Sequence, residues 1–595
     1  MSRRSTLRLA GLVAGLVVVR LALGLGMDGP VIHGDEAGYI LNARWLAGEG
    51  PPPRTRYFPG YSLLLVPAAW VTESPLGFYN AIIVTNALLG GVLGLAAWVL
   101  TGAFLGPERT GARLAVAAAT SLYPAFVSYS NLALSENALV PATMVTAYCL
   151  MQSVQGERVP GSLALGLGVL GAYQVVVHPR GAAVLLAAVV VAAVFWRPWR
   201  RRLAAFALLA VGAIAVLVVG GLAVRAATDG GAAVASGYDV DVVAGSRLSL
   251  AGVLDMAVGA LGQVLYVVAA TYGLAVVGLW AAARHVRRGV RWGDARPAGA
   301  GAVSLFAIVA SLSVLAMSAW LVSPSATARA HPDSLLYGRL NEGVLAPLLL
   351  VGLCALANAA TSVRLLVRSV AATALVAVVA AVSLRVFRAA LAGAEIDNPI
   401  GVIGTYPLQA VLSGGRVAPL LLAAFAVVSV SALMALARWR PAVAVSCAAV
   451  AFFAVGSAMA LRYLLPGSAQ RATERGAVPL IAMLEERGAR PACVAFDDAG
   501  YSFWHHDNYR VFLEGIRVER FASRRREAPC GPVVLTTRDD LASNYAGARL
   551  WRRLDEGLAV WVLPGESQDA VSDLLAARDV RPTWRDREGA STAPG

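Results

Sequence analysis

Residues 9–50 read LAGLVAGLVVVRLALGLGMDGPVIHGDEAGYILNARWLAGEG. From Leu9 to Gly26 the run carries a single charge, Arg20, and is long enough to cross a bilayer core. Arg3, Arg4 and Arg8 precede it, as in a signal peptide. No small-residue cleavage site is evident and Asp35 follows closely, so the run reads as a retained first span. Two adjacent carboxylates, Asp35 and Glu36, stand just beyond it. An amphipathic helix is expected next, with Tyr39, Asn42, Ala43 and Leu46 on one face, lying along the membrane surface. Pro51, Pro52 and Pro53 end it, and Arg54-Thr55-Arg56-Tyr57-Phe58-Pro59-Gly60-Tyr61 leads into a short apolar run from Leu63.

The rest of the chain extends this pattern. Of 595 residues 58% are hydrophobic and 14% charged, with a mean hydropathy of +0.65, far below the roughly 25% charged residues of soluble domains. Hydropathy predicts about thirteen spans, at 9–26, 78–104, 112–128, 137–153, 161–178, 181–196, 203–224, 260–283, 300–322, 343–361, 368–384, 417–437 and 442–464. All 50 basic residues are Arg. With the N-terminus placed in the cytoplasm, the inside segments hold 19 Arg against three acids and the outside loops 11 Arg against 14 acids. The net charge of +14 is thus a positive-inside bias and not a nucleic-acid footprint.

Three domains are expected. Residues 1–465 form the transmembrane part, with a loop at 27–77 that carries chemistry. Residues 466–566 form an outside α/β domain, and 567–595 a terminal helix and disordered tail. In the α/β domain a helix is expected over Thr473–Arg487. Strands are expected at Cys493–Phe496, Tyr509–Leu513 and Pro532–Thr536. A hairpin pairs Leu550–Leu554 with Leu558–Leu563 about the turn Asp555-Glu556-Gly557. Cys493 and Cys530 lie at or just before strand starts. Parallel neighbouring strands would bring those starts together on an oxidising side, where a disulfide forms. Cys149, Cys354 and Cys447 read as buried apolar residues. No CxxC or Cys/His cluster suggests zinc.

Taken alone, Asp35 and Glu36 suit the first turn of a helix, where acids cap. Their setting carries more. Asp-Glu after the first span, a Tyr three residues later, a surface helix ending in Gly and a Pro-Gly-Tyr lead-in resemble the GT-C glycosyltransferases. The likeness is to the branch that includes protein O-mannosyltransferases and the aminoarabinose transferases of lipid A, and it is strongest over about 1–200. It implies an all-α polytopic membrane fold with an outside C-terminal domain, a polyprenyl-phosphate-linked sugar donor, and Asp35 as the catalytic carboxylate. Glu136, in Ser130-Asn131-Leu132-Ala133-Leu134-Ser135-Glu136-Asn137, takes the place of the family's second acid, which assists the first or helps bind a metal. Arg180, in Val177-His178-Pro179-Arg180-Gly181, resembles the Lys-Gly or Arg-Gly position that meets the donor phosphate. Tyr337-Gly338-Arg339, ahead of the tenth span, resembles a recurring feature of related actinobacterial membrane transferases.

The chemistry fits on its own terms. An acceptor hydroxyl that displaces a polyprenyl phosphate must lose a proton, and a carboxylate can serve as general base. The departing phosphate needs cations, a task suited to Arg. The candidates are therefore Asp35, Glu36 and Glu136 for catalysis, and Arg180, Arg339 and His178 for the donor phosphate. Tyr39, Tyr57, Tyr61 and Tyr337 are candidates for the acceptor or substrate. Each has a plainer reading: Arg180 as a snorkelling cation, Arg339 as a salt-bridge partner of Glu342, His178 as structural, Glu136 as merely interfacial. No cofactor is assigned. Asp35, Glu36 and Glu136 are the residues that could hold a divalent cation, with Asp239 and Asp241 a weaker option. Tyr501-Ser502-Phe503-Trp504-His505-His506-Asp507-Asn508-Tyr509 could touch an acceptor glycan, although a domain contact is the more ordinary reading.

The resulting expectation is an inverting hexosyl- or pentosyltransferase of the bacterial plasma membrane, serving cell-wall biogenesis. By family analogy it transfers mannose or arabinose to a glycan, lipid or protein acceptor. A secondary transporter would use the same ionisable groups but place them at the bilayer midplane. A lipid-linked glycan polymerase or ligase is the other alternative.

Overall fold

The computed structural model describes residues 3–577 except 50–51, 54, 56, 107, 156–158, 197–198, 228–248, 293–294, 322–335, 359–362, 388–392, 397, 474–476, 487, 499–502, 514, 539 and 554–557. Asp239 and Asp241, the turn at 555–557 and the tail beyond 577 lie outside the described residues.

The chain is mostly helical. The first nine helices are α1 (Arg3–Gly24), α2 (His33–Leu46), α3 (Gly60–Trp70), α4 (Pro75–Thr101), α5 (Thr110–Ser121), α6 (Pro124–Tyr129), α7 (Glu136–Gln155), α8 (Gly161–Val177) and α9 (Gly181–Phe195). Among the described residues, nine helices are long and apolar enough to cross a membrane. The thirteen expected spans all fall on helices, but several are not simple rods. The 112–128 segment is α5 plus α6, parted at Leu122 and Tyr123 ahead of Pro124, because a proline cannot donate to the helical ladder. Helices α8 and α9 have only 17 and 15 residues. The 260–283 segment is two helices, Leu250–Ala270 and Leu274–Trp292. Between them Tyr272 and Gly273 take left-handed backbone, φ 56° and 82°, which no α-helix continues through.

The first loop contains the expected helix, α2, but its residues from Glu36 to Arg44 are buried and not one-faced. Its start is fixed by Glu36, whose Oε1 accepts from the backbone N–H groups of Val31 and Ile32 at 2.7 and 2.8 Å. Its end is a Schellman turn: Gly48 N donates to Trp45 O at 3.0 Å and Glu49 N to Arg44 O at 2.9 Å, with Gly48 at φ 96°.

The C-terminal region forms a five-stranded sheet, β1 (Cys493–Asp497), β2 (Arg517–Phe521), β3 (Val533–Thr536), β4 (Arg549–Arg553) and β5 (Ala559–Val562), in the order β2-β1-β3-β5-β4. β1 runs parallel to both β2 and β3, while β3–β5 and β4–β5 are antiparallel, so the expected hairpin is present. Two sequence expectations are corrected. Tyr509–Leu513 is not a strand, since Phe503–Phe512 is a helix. Tyr509 and Leu513 face the sheet while Val511 packs on the membrane-domain core. Burial on both sides gave an alternation that imitates a strand. The strand Arg517–Phe521 was not anticipated, because it is a charged edge with only Phe521 buried, the usual protection of a sheet edge.

Parallel pairing of β1 and β3 does bring Cys493 and Cys530 together, 5.7 Å apart at Cα and disulfide-bonded across 37 residues. Thiol counting under denaturing, non-reducing conditions is expected to find three thiols, Cys149, Cys354 and Cys447; finding five would mean the bond does not form. Replacing both bonded cysteines with Ser is expected to cost the domain about 3–4 kcal/mol, since a closed loop of this length restricts the unfolded chain.

Candidate active site

The loop 27–77, the turn between α8 and α9 and the start of the helix Arg339–Ala357 converge on one charged cluster. Three glycines make the approach possible. A Cβ on Gly60 would lie 2.4 Å from Val177 N, so only glycine lets the loop press on the end of α8. There Tyr173 donates its hydroxyl to Gly60 O at 2.9 Å. A Cβ on Gly181 would lie 2.1 Å from the Gln174 carbonyl carbon, so the Arg-Gly pair closes the tight turn that presents Arg180. A Cβ on Gly38 would strike the Tyr57 ring at 2.1 Å. That ring lies across α2 and its hydroxyl donates to Asp35 Oδ1 at 2.5 Å.

The charges alternate. Arg339 Nη1 meets Asp35 Oδ2 at 2.5 Å and its Nε meets Glu136 Oε1 at 3.0 Å. Arg180 Nη2 meets the same Glu136 oxygen at 2.8 Å. Arg180 also donates through Nη1 to the carbonyls of Arg339 and Leu340 at 3.0 and 3.2 Å, and through Nε to His178 Nδ1 at 3.0 Å. Its guanidinium is therefore largely spent on holding the Arg339 backbone and Glu136. His178 accepts, so it orients Arg180 and does not itself offer a proton at Nδ1. The expectation that Arg339 pairs with Glu342 is not met. Glu342 is 0% exposed and accepts from the hydroxyls of Tyr123, Tyr129 and Tyr266.

Exposure separates the three acids. Glu136 and Glu36 are 0% exposed, whereas the Asp35 side chain is 17% exposed and that of its partner Arg339 10%. Glu36 serves the loop. Besides capping α2, it accepts from Tyr79 Oη at 2.7 Å and Ala133 N at 2.7 Å, pinning the loop to α4 and to the segment before α7. Burial pushes its carboxyl pKa up, and these donors pull the other way. Tyr39 and Tyr61, expected at an acceptor, are instead core residues at 2% and 0% exposure. Their rings meet edge to face with centroids 5.4 Å apart, and Tyr61 donates to Asn86 Oδ1 at 2.8 Å. Tyr57 and Tyr337 are half-buried beside the charges. Burial and the neighbouring Asp35 carboxylate hold the Tyr57 phenol well above its usual pKa, so it stays a donor.

The space between Asp35 and Glu136 holds the Arg339 guanidinium, so the cation that joins these carboxylates here is a side chain. The Tyr-Gly-Arg glycine has a plain cause, since a Cβ on Gly338 would lie 1.7 Å from the Tyr266 ring. Its N–H donates to Gly401 O at 2.9 Å. Gly338→Ala is therefore expected to destabilise the protein by about 1–3 kcal/mol through overpacking and to misplace Arg339. An unshifted melting temperature would show that the Tyr266 ring yields freely. Sequence reasoning missed Glu342, its tyrosines and the role of Tyr57. The tyrosines lie at distant sequence positions, and only packing joins them.

The aromatic segment after β1 acts as a brace. The helix Phe503–Phe512 packs on α2. Arg44 donates to Val511 O at 3.2 Å and Arg510 to Pro53 O at 2.8 Å, which ties the sheet domain to the helix that carries Asp35.

No protein-family model and no curated protein sequence matches this chain. Solved structures do. ArnT from Cupriavidus metallidurans in the apo state aligns at 16% identity with a TM-score of 0.51, covering 95% of this chain and 100% of that one. The same protein bound to undecaprenyl phosphate aligns at 14% identity and TM-score 0.51, covering 94% and 99%. An oligosaccharyltransferase from Archaeoglobus fulgidus superposes more loosely, at 11% identity and TM-score 0.45 over 97% of this chain and 75% of its own, and no argument rests on it. At such identities the likeness is one of fold. The chain shares the overall fold of ArnT, a many-helix body with a small C-terminal sheet domain.

Proposed function

We propose that this chain is a membrane glycosyltransferase that moves a sugar from a polyprenyl-phosphate donor to an acceptor hydroxyl on the outer side of the membrane. One observation carries the reading: of the three clustered acids only Asp35 is exposed, and it shares Arg339 with a buried carboxylate. An acceptor hydroxyl can reach Asp35 and give up its proton there. Among the described residues Arg339 Nη2 has no hydrogen-bond partner, and it is the group offered to the donor phosphate. The phosphate then shares Arg339 with Asp35, which sets the donor beside the carboxylate that takes the acceptor's proton. Arg180, Glu136 and His178 fix Arg339 from behind, so the phosphate contact expected of both arginines falls chiefly to Arg339. Tyr57 and Tyr337 flank the acceptor side. A single reachable carboxylate suits one direct displacement with inversion, because a double displacement asks for a second group at the anomeric carbon.

The likeness in fold to a protein solved with undecaprenyl phosphate supports a lipid-phosphate donor. Within this reading the sugar is a pentose or a hexose, with arabinose and mannose the first to try. The location is a bacterial plasma membrane with the N-terminus inside and the sheet domain outside. Incubating the purified protein with a panel of radiolabelled polyprenyl-phosphate sugars and glycan, lipid and peptide acceptors is expected to give transfer from one of them. No transfer and no donor binding across the panel would sink the reading in favour of a transporter. A reporter fused after residue 470 is expected to be active only outside the cytoplasm; cytoplasmic activity would overturn the outward site.

A further inference from the structure

The first span carries a charge that this chemistry leaves unused. Arg20 lies in α1 at 1% exposure. Gly90 makes room for it, since a Cβ there would stand 2.3 Å from Arg20 Nε. Nη1 donates to Leu16 O at 3.1 Å and Nη2 to Ser121 O at 2.6 Å, and a guanidinium has five N–H groups. Among the described residues Arg20 forms no ion pair. A charge at membrane depth is expensive, and such residues characteristically face a bundle interior or a cavity tied to function.

Arg20 faces such a cavity. With Asn86, Tyr129, Glu136 and Asn137 it lines a space of about 20 Å³, room for one water. Glu136 gives Oε1 to both Arg180 and Arg339, while among the described residues its Oε2 accepts from Ser135 Oγ alone, at 3.4 Å. A carboxylate oxygen short of donors and a guanidinium with donors to spare line the same small cavity. We infer that Arg20 is the third cation of the phosphate site, a positioning residue that acts on Glu136 through water held in this cavity. The inference rests on the function proposed above. Asp35 and Glu136 offset Arg180 and Arg339, so those four charges sum to zero. Arg20 adds one positive charge beside these four, which suits an anionic lipid phosphate. In a medium that screens poorly, such a charge is felt at a distance.

The plainer role for Arg20 is a helix cap. Ser121 O is the last carbonyl of α5, and a cation there opposes the helix dipole. Charge selectivity separates the two. The test is binding of undecaprenyl phosphate and of uncharged undecaprenol to the full-length protein in nanodiscs, for wild type, Arg20→Gln and Arg20→Lys. Arg20→Gln is expected to raise the Kd for the phosphate about 10-fold, the order of effect of losing one unit charge where screening is poor. Undecaprenol binding stays unchanged, and Arg20→Lys restores most of the loss. Equal weakening for both lipids, or an unchanged preference for the phosphate, overturns the inference and leaves a cap. A wild type that does not prefer the phosphate removes the function it rests on as well. If Arg20→Gln does not fold, Gly90→Ala, which keeps the charge but displaces the guanidinium, is expected to shift the same preference; an unaltered preference there counts equally against the inference.

Discussion

Asp35→Asn is expected to abolish measurable turnover while leaving lipid-phosphate binding intact. The amide keeps the shape of the carboxylate and can still accept from Tyr57 through its oxygen. It cannot take the acceptor's proton, and losing a general base typically costs about 10²–10⁴-fold in rate. Single-turnover transfer from a preloaded donor isolates the chemical step, so a binding defect cannot pass for a catalytic one. Near wild-type turnover would refute the mechanism even if the enzyme class survived. Glu36→Gln makes a useful contrast. Glu36 takes four donors around α2, so its loss is expected to lower the melting temperature, with catalysis reduced only as far as the loop loosens.

Arg339→Lys is expected to be the second most damaging change. Lys keeps one charge, but it cannot lie between Asp35 and Glu136 in the planar geometry that Arg339 uses, nor offer a second edge to a phosphate. Loss of one such stabilising group costs about 10²–10³-fold in kcat. The affinity for the lipid phosphate falls together with kcat, which distinguishes this variant from Asp35→Asn. Arg339→Ala goes further, since it removes the charge as well and leaves the buried Glu136 to Arg180 alone. A variant with full lipid-phosphate affinity and full kcat would show that Arg339 is an ordinary interface residue.

Hydropathy made the membrane class legible, because long uncharged runs follow from the cost of placing charge in hydrocarbon. The first loop was legible as well, since its helix start, its Gly48 stop and its acids are local features. The disulfide followed from where two strands begin. What failed was period reading at a helix buried on two sides, Phe503–Phe512, and at a charged edge strand, Arg517–Phe521, where burial no longer follows the pattern that marks an element.

By itself the sequence determined the class of protein, the positions of its apolar helices and which residues were chemically able to act: Asp35, Glu136, Arg180 and Arg339. Those properties are local, set by side-chain type and by how many apolar residues run together. Only the tertiary structure decided which of them meets which. Glu342 sits three residues from Arg339, yet it goes to three tyrosines from elsewhere, and Arg339 reaches Asp35, 304 positions away in sequence. Tyr39 and Tyr61 are withdrawn into the core, and of the three clustered acids Asp35 alone keeps a partly exposed side chain. Burial and charge pairing of this kind depend on how distant helices pack, and local sequence carries no record of it.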